Sequence, residues 1–133
     1  MRFLLDADVF SAIARQTSAS AAQRLAELES GSVALSVITC AEIAFGLERH
    51  PVSSRLIARI QRLQKVLPSL PLLDSVVAHY ARARAHLEKR GTPIGPNDLW
   101  LAAHALCQDL TVVTGNTREF ARVPGLRVEN WLR

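Results

Sequence analysis

Arg2-Phe3-Leu4-Leu5-Asp6-Ala7-Asp8-Val9-Phe10-Ser11 decides the fold class, because an apolar run stops at two acids within the first ten residues. Phe3 to Leu5 show no polar alternation, the pattern of a strand covered on both faces in a parallel α/β sheet. In open α/β sheets ligands bind beyond the carboxyl ends of the strands, where a topological switch leaves a crevice. Asp6 stands at that end. An acid closing a buried strand loses solvation unless something pairs with it, which makes Asp6 a candidate functional residue.

Working outward, helical and extended patterns alternate. Short helices are expected over residues 9–15 and from Ser18 or Ser20 to about residue 30, then a strand over 33–37 and a helix from Thr39 to about residue 49. An amphipathic helix over 53–66 carries Leu56, Ile60 and Leu63 on one stripe and Arg55, Arg59 and Arg62 on another. A very short strand is expected near 70–73, a helix capped by Asp74 reaching to about 90, and a buried helix over about 98–109. Strands over 110–113 and 126–128 flank a helical turn at 118–121. The prediction is one three-layer α/β/α domain over residues 1–133, with a mainly parallel five-stranded sheet.

The composition bounds the function. Of 133 residues, 49% are apolar and 21% charged, an ordinary globular balance. Aromatics at 5% argue against a stacking platform for single-stranded bases. The formal charge of +4 permits a polyanionic partner without demanding one. Cys40 and Cys107 lack any C-x-x-C spacing, so neither a disulfide framework nor a zinc site is expected. No apolar run approaches a membrane span, and Asp6 interrupts the first one too early for a secretory signal, so a cytoplasmic location is expected.

In this architecture the polar groups converge. Asp6 ends the first strand, Glu42 lies early in the helix after the second, Asp98 opens the helix before the fourth, and Asn116 with Glu119 follows the fourth. All project from one edge of the sheet. Clustered carboxylates need protons or a cation, and oxygen-only ligands favour Mg²⁺ or Mn²⁺ over zinc. That chemistry suits phosphodiester cleavage. Structural roles stand beside these: Thr39-x-x-Glu42 also reads as a capping box, Asp98 as a first-turn acid, Asp8 as a cap, and Asn116 with Glu119 as a box-like cap. His50, His79, His86 and His104 lack ligand spacing and read as surface or core residues.

The chain resembles the PIN-domain ribonucleases of the VapC toxin type. The matching segments are Leu4-Leu-Asp6, Ser36-Val-Ile-Thr-Cys-Ala-Glu42, Ile94-Gly-Pro-Asn-Asp98 with the following Leu-Trp-Leu-Ala-Ala-His-Ala-Leu106, and Thr114-Gly-Asn-Thr-Arg-Glu-Phe120 with Val123-Pro-Gly-Leu126. The resemblance implies a PIN fold and a Mg²⁺/Mn²⁺-dependent endoribonuclease with Asp6, Glu42 and Asp98 as its acidic core and metal ligands, and Asn116 and Glu119 as further metal candidates. It also implies a homodimer, held in a hetero-oligomer by a cognate antitoxin whose C-terminal segment occupies the active-site groove, and a free toxin that cuts tRNA or other structured RNA to inhibit translation. Two positions depart from the pattern: Asp8 replaces the usual Asn, and Asn116 stands where many members have Asp. They motivate an alternative, a catalytically degenerate PIN protein that binds RNA or a protein partner without cleavage. Leu4-Leu-Asp-Ala-Asp8 also imitates the motif of haloacid-dehalogenase-like phosphatases, but Gly115-Asn116-Thr117 stands where that family has paired acids.

Overall fold

The computed structural model describes residues 1–133. Its sheet contains β1 (Phe3–Leu5), β2 (Val33–Ser36), β3 (Ser69–Leu70), β4 (Thr111–Val113) and β5 (Val128–Glu129) in the order β3-β2-β1-β4-β5. Every pairing is parallel, so the sheet is wholly rather than mainly parallel. The chain runs outward from β1 through β2 to β3, then returns across β1 to β4, which puts the switch point between β1 and β4. Leu5 is in register with Leu35 and with Val113. Asp6, Ser36 and Thr114 therefore leave the sheet side by side.

Helices cover both faces, as the unbroken apolar strands require. On one face, Phe3, Leu5, Val33 and Leu35 pack against α1 (Ala7–Ala14), α2 (Ala19–Glu27), α3 (Val37–Arg49) and α4 (Ser54–Val66). On the other, Leu4, Ala34 and Val112 pack against α5 (Val76–Lys89), α6 (Pro96–Gln108) and α7 (Thr117–Phe120). The alternation of Phe3 and Leu5 with Leu4 splits one strand between two cores. Trp131 closes the first core edge-on to Phe3, 5.2 Å between ring centroids.

Several expected boundaries move, each for a local reason. Because α1 follows β1 with no loop, it starts at Ala7 and Asp6 is its N-cap. α2 stops at Glu27, with Leu28 turning extended as C-cap. Ser36, rather than Thr39, caps α3, its hydroxyl accepting from Ile38 N at 3.0 Å. Ser75, rather than Asp74, precedes α5 and makes no side-chain cap bond. α6 starts at Pro96 behind Gly95, since proline's fixed φ suits the first helical position. β3 and β5 are two-residue strands set by pairing with β2 and β4, which moves them to Ser69–Leu70 and Val128–Glu129. The arginine and leucine stripes expected on α4 are present, with Leu56 and Ile60 buried. No helix is long and apolar enough to cross a membrane.

Candidate active site

Asp6 is 8% exposed and held from two sides. Its Oδ1 accepts from Ala7 N at 2.7 Å, and its Oδ2 from the buried Thr114 hydroxyl at 2.8 Å. Burial, followed by the charge of Asp8, raises its pKa above 3.8, while the Thr114 and Ala7 bonds pull the other way.

Glu42 reaches the same edge from α3. Thr39, buried below it, donates from Oγ1 to the last carbonyl of β1, Leu5 O, at 3.0 Å. That bond ties α3 to β1 and replaces the capping box expected of Thr39 and Glu42. Glu42 Oε1 is buried and has no hydrogen-bond partner. Burial and then the charge of Asp6 raise its pKa, partly offset by the Asn97 side chain.

Asp98, in the first turn of α6, shows the strongest effect. Its pKa rises from 3.8 to about 7 through burial and then through Asp6, Glu119, Glu42 and Asp8. A carboxyl at a helix N-terminus is ordinarily stabilised as the anion. Here burial and four acidic neighbours prevail.

Asp8 and Glu119 behave differently. Asp8 accepts from Val9 N at 2.8 Å with one oxygen and from Gly115 N at 2.9 Å with the other. Gly115 approaches so closely that a Cβ there would lie 2.7 Å from both Asp8 Oδ2 and Leu132 Cδ1. Glu119 accepts from Gly95 N at 2.8 Å, joining α7 to the start of α6, and its other oxygen accepts from Asn116 Nδ2. Asn116 N donates to Thr114 Oγ1 at 3.0 Å, so Thr114 links Asp6 to this loop.

The edge thus gathers Asp6, Asp8, Glu42, Asp98 and Glu119, five of the protein's 12 acids. No three of them are gathered in complete metal-binding geometry. The donor set still fits a hard divalent cation, which binds through one or two carboxylates and keeps several waters. Glu42 Oε1, buried without a donor, is the atom that such a cation or its water would satisfy.

A family model described as PIN domain matches residues 3–126. The chain belongs to the PIN domain family. It is 34% identical over 131 residues to the "tRNA(fMet)-specific endonuclease VapC" of Shigella flexneri, covering 98% of both chains. Among solved PIN domain structures, its fold matches VapBC2 from Rickettsia felis bound to a promoter DNA fragment, with a TM-score of 0.90 and 28% identity over 98% of this chain and 99% of that one. It likewise matches DNA-bound VapBC from Salmonella typhimurium, with a TM-score of 0.89 and 32% identity over 98% of each chain.

All five residues expected at this PIN domain's site lie at one edge, and the structure adds others. Thr114 is the bridge between Asp6 and the loop after β4; its place at the end of a strand, beside Gly115, was the available signal. Asn97, next to Asp98, is set beside Glu42. His104 is buried, with Nδ1 at 2.8 Å from Ser36 Oγ, and burial lowers its pKa below 6.5. It packs α6 onto the cap of α3, the core role expected of it.

Proposed function

We propose that this PIN domain protein is a Mg²⁺- or Mn²⁺-dependent endoribonuclease, the toxin of a type II toxin–antitoxin pair, which cleaves structured RNA, tRNA foremost, to inhibit translation. The observation that carries the reading is the buried, partnerless Glu42 Oε1 beside Asp6 and an Asp98 whose pKa is pushed up to about 7. The names of similar proteins support the substrate class, and the VapBC complexes among its structural neighbours support a cognate antitoxin as partner. A homodimer, joined by the antitoxin in a hetero-oligomer, is part of the same proposal.

Asp6 and Asp98 would hold the cation, with Glu42 as a third ligand or as the group orienting water; Asn116 and Glu119 stand at the rim. Bound there, the cation would supply water activation and neutralise charge on the phosphate. The protein's own part is positioning. Thr114 and Ala7 N fix the Asp6 carboxylate, and Thr39 fixes the turn that carries Glu42. Water would attack phosphorus as the P–O bond to the leaving oxygen breaks, with Glu42 as ligand or orienter directing the water; the water's proton would pass to solvent and solvent would protonate the leaving oxygen. Beside Glu42 lies a mostly apolar groove of about 220 Å³ between α1, α3 and α4, lined by Phe10, Ile43, Leu47 and Ile60 among others. We assign it to the antitoxin's C-terminal segment.

The test is incubation of purified, antitoxin-free protein with total tRNA, with Mg²⁺ or Mn²⁺, with EDTA, and with Asp6→Asn as control. Discrete metal-dependent products, absent with the variant, are expected. RNA binding without any cleavage by folded wild-type protein would instead establish the degenerate, binding-only alternative.

A further inference from the structure

An edge holding five carboxylates repels the phosphate backbone it is to cut. Affinity for RNA has to come from cations placed beside that edge, and sequence-independent phosphate contacts supply most of it. α4 meets the requirement. It carries Arg55, Arg59, Arg62 and Lys65 and no acid at all. None of these four joins an ion pair: the three in the molecule are Arg24 with Glu129, Arg84 with Glu88, and Arg127 with Asp109.

Arg55, Arg59 and Arg62 follow helical spacing on one stripe, about 100° round the helix from buried Leu56 and Ile60. The stripe spans about 10 Å along the helix axis, enough to meet about three phosphates of one strand of a duplex. Its position connects it to the acids. Arg59 and Arg62 line a surface groove with Ala14 and Gln16 at the end of α1, and Ala14 also lines the groove that contains Ser11, Arg15 and Glu42. Arg15 stands on the way, its Nε donating to Ser11 Oγ at 3.1 Å. The other layer offers a natural contrast. On α5 Arg84 is engaged by Glu88 and Tyr80, and the groove lined by Tyr80, Arg84 and Leu87 of α5 contains no acid of the active edge.

We infer that the acid-free cationic stripe of α4, continued by Arg15 of α1, is the surface that binds the phosphate backbone of structured RNA and delivers the strand to the carboxylate edge. This rests on the endoribonuclease reading above and adds the residues that give affinity. The carboxylate edge repels a phosphate backbone and an acidic protein segment alike, but only the backbone has a bond for that edge to cut, which favours RNA as the occupant of the stripe.

The experiment measures total tRNA binding by the full-length protein carrying Asp6→Asn, which should bind without cutting, across 50–200 mM salt. Adding Arg55→Gln and Arg62→Gln, both exposed positions, should weaken binding about tenfold and flatten the log–log salt slope by about 1.5, the share of two phosphate contacts. Arg55→Lys with Arg62→Lys should keep the slope. Arg82→Gln with Arg90→Gln, exposed on and beside α5, should change neither quantity. A midpoint and slope unchanged by the α4 pair would overturn the inference and leave an acidic protein segment as the stripe's partner. Equal effects from the α5 pair would also overturn it, in favour of diffuse charge. Cleavage of tRNA by the wild type, assayed separately, reports on the endoribonuclease reading alone.

Discussion

Two groups of acids share one edge of this sheet and are used in opposite ways. In the loop region, Asp8 and Glu119 have both carboxylate oxygens occupied by N–H donors and pin the chain after β4 to α1 and to the start of α6. In the helix region, Glu42 has a buried oxygen with no donor, and Asp98 is raised to about 7 with no hydrogen bond to offset it. Asp6 lies between them, fixed by Thr114 yet destabilised as an anion by burial and Asp8. An acid matched with donors stabilises its loop. An acid without them destabilises the metal-free protein and becomes useful when a cation arrives.

Cleavage should separate the two groups most widely. Glu42→Gln and Asp98→Asn are expected to lower the rate of tRNA cleavage on the order of a thousandfold, whereas Glu119→Gln should stay within about tenfold, read from initial rates at saturating Mg²⁺. Equal losses would erase the distinction. Next comes a contrast between neighbours on one strand. Leu5, 0% exposed, packs in the first core, so Leu5→Ala should cost about 3 kcal/mol in urea unfolding. Asp6→Asn should remain within about 1 kcal/mol of wild type, because the Asn oxygen can still accept from Ala7 N while its Nδ2 donates to Thr114 Oγ1.

Smaller effects sharpen the pinned side. Gly115→Ala pushes a Cβ against the tips of Asp8 and Leu132, side-chain ends that can yield, so about 1 kcal/mol of stability should be lost. The loss should shrink in an Asp8→Ala background. The smallest effect concerns pH. Because Asp98's pKa is raised in the folded protein, the folded state keeps a proton that the unfolded state releases between about pH 4 and 7. Metal-free stability should therefore fall as pH rises through that window. Screening at a half-exposed side chain reduces the effect to on the order of 1 kcal/mol, or about 4 °C in Tm. Asp98→Asn should flatten the profile, and a melting temperature that rises from pH 5 to 7 would contradict the reading of Asp98.

Much of this was legible in the sequence, and the misses share a cause. The apolar run ending at Asp6 announced both the central strand and its functional end, because burial on two faces and a terminal acid are local patterns. The convergence of Glu42, Asp98, Asn116 and Glu119 followed from topology alone. What local pattern could not give was who donates to whom. Thr39 was expected to cap α3, but the direct passage from β2 into α3 hands that role to Ser36 and frees Thr39 to bind Leu5 O. Glu42, relieved of the capping box, is left with one buried oxygen, Oε1, without a partner. β3 and β5 were displaced for the same reason, since two-residue strands exist by pairing rather than by propensity.

The most direct measurement is a Mn²⁺ titration followed by electron paramagnetic resonance of the full-length protein alongside its Glu42→Gln and Glu119→Gln variants. The account predicts saturable Mn²⁺ binding that weakens at least tenfold in Glu42→Gln and is nearly unchanged in Glu119→Gln. Binding that survives Glu42→Gln but is lost in Glu119→Gln would contradict it, and would move the metal site to the loop after β4.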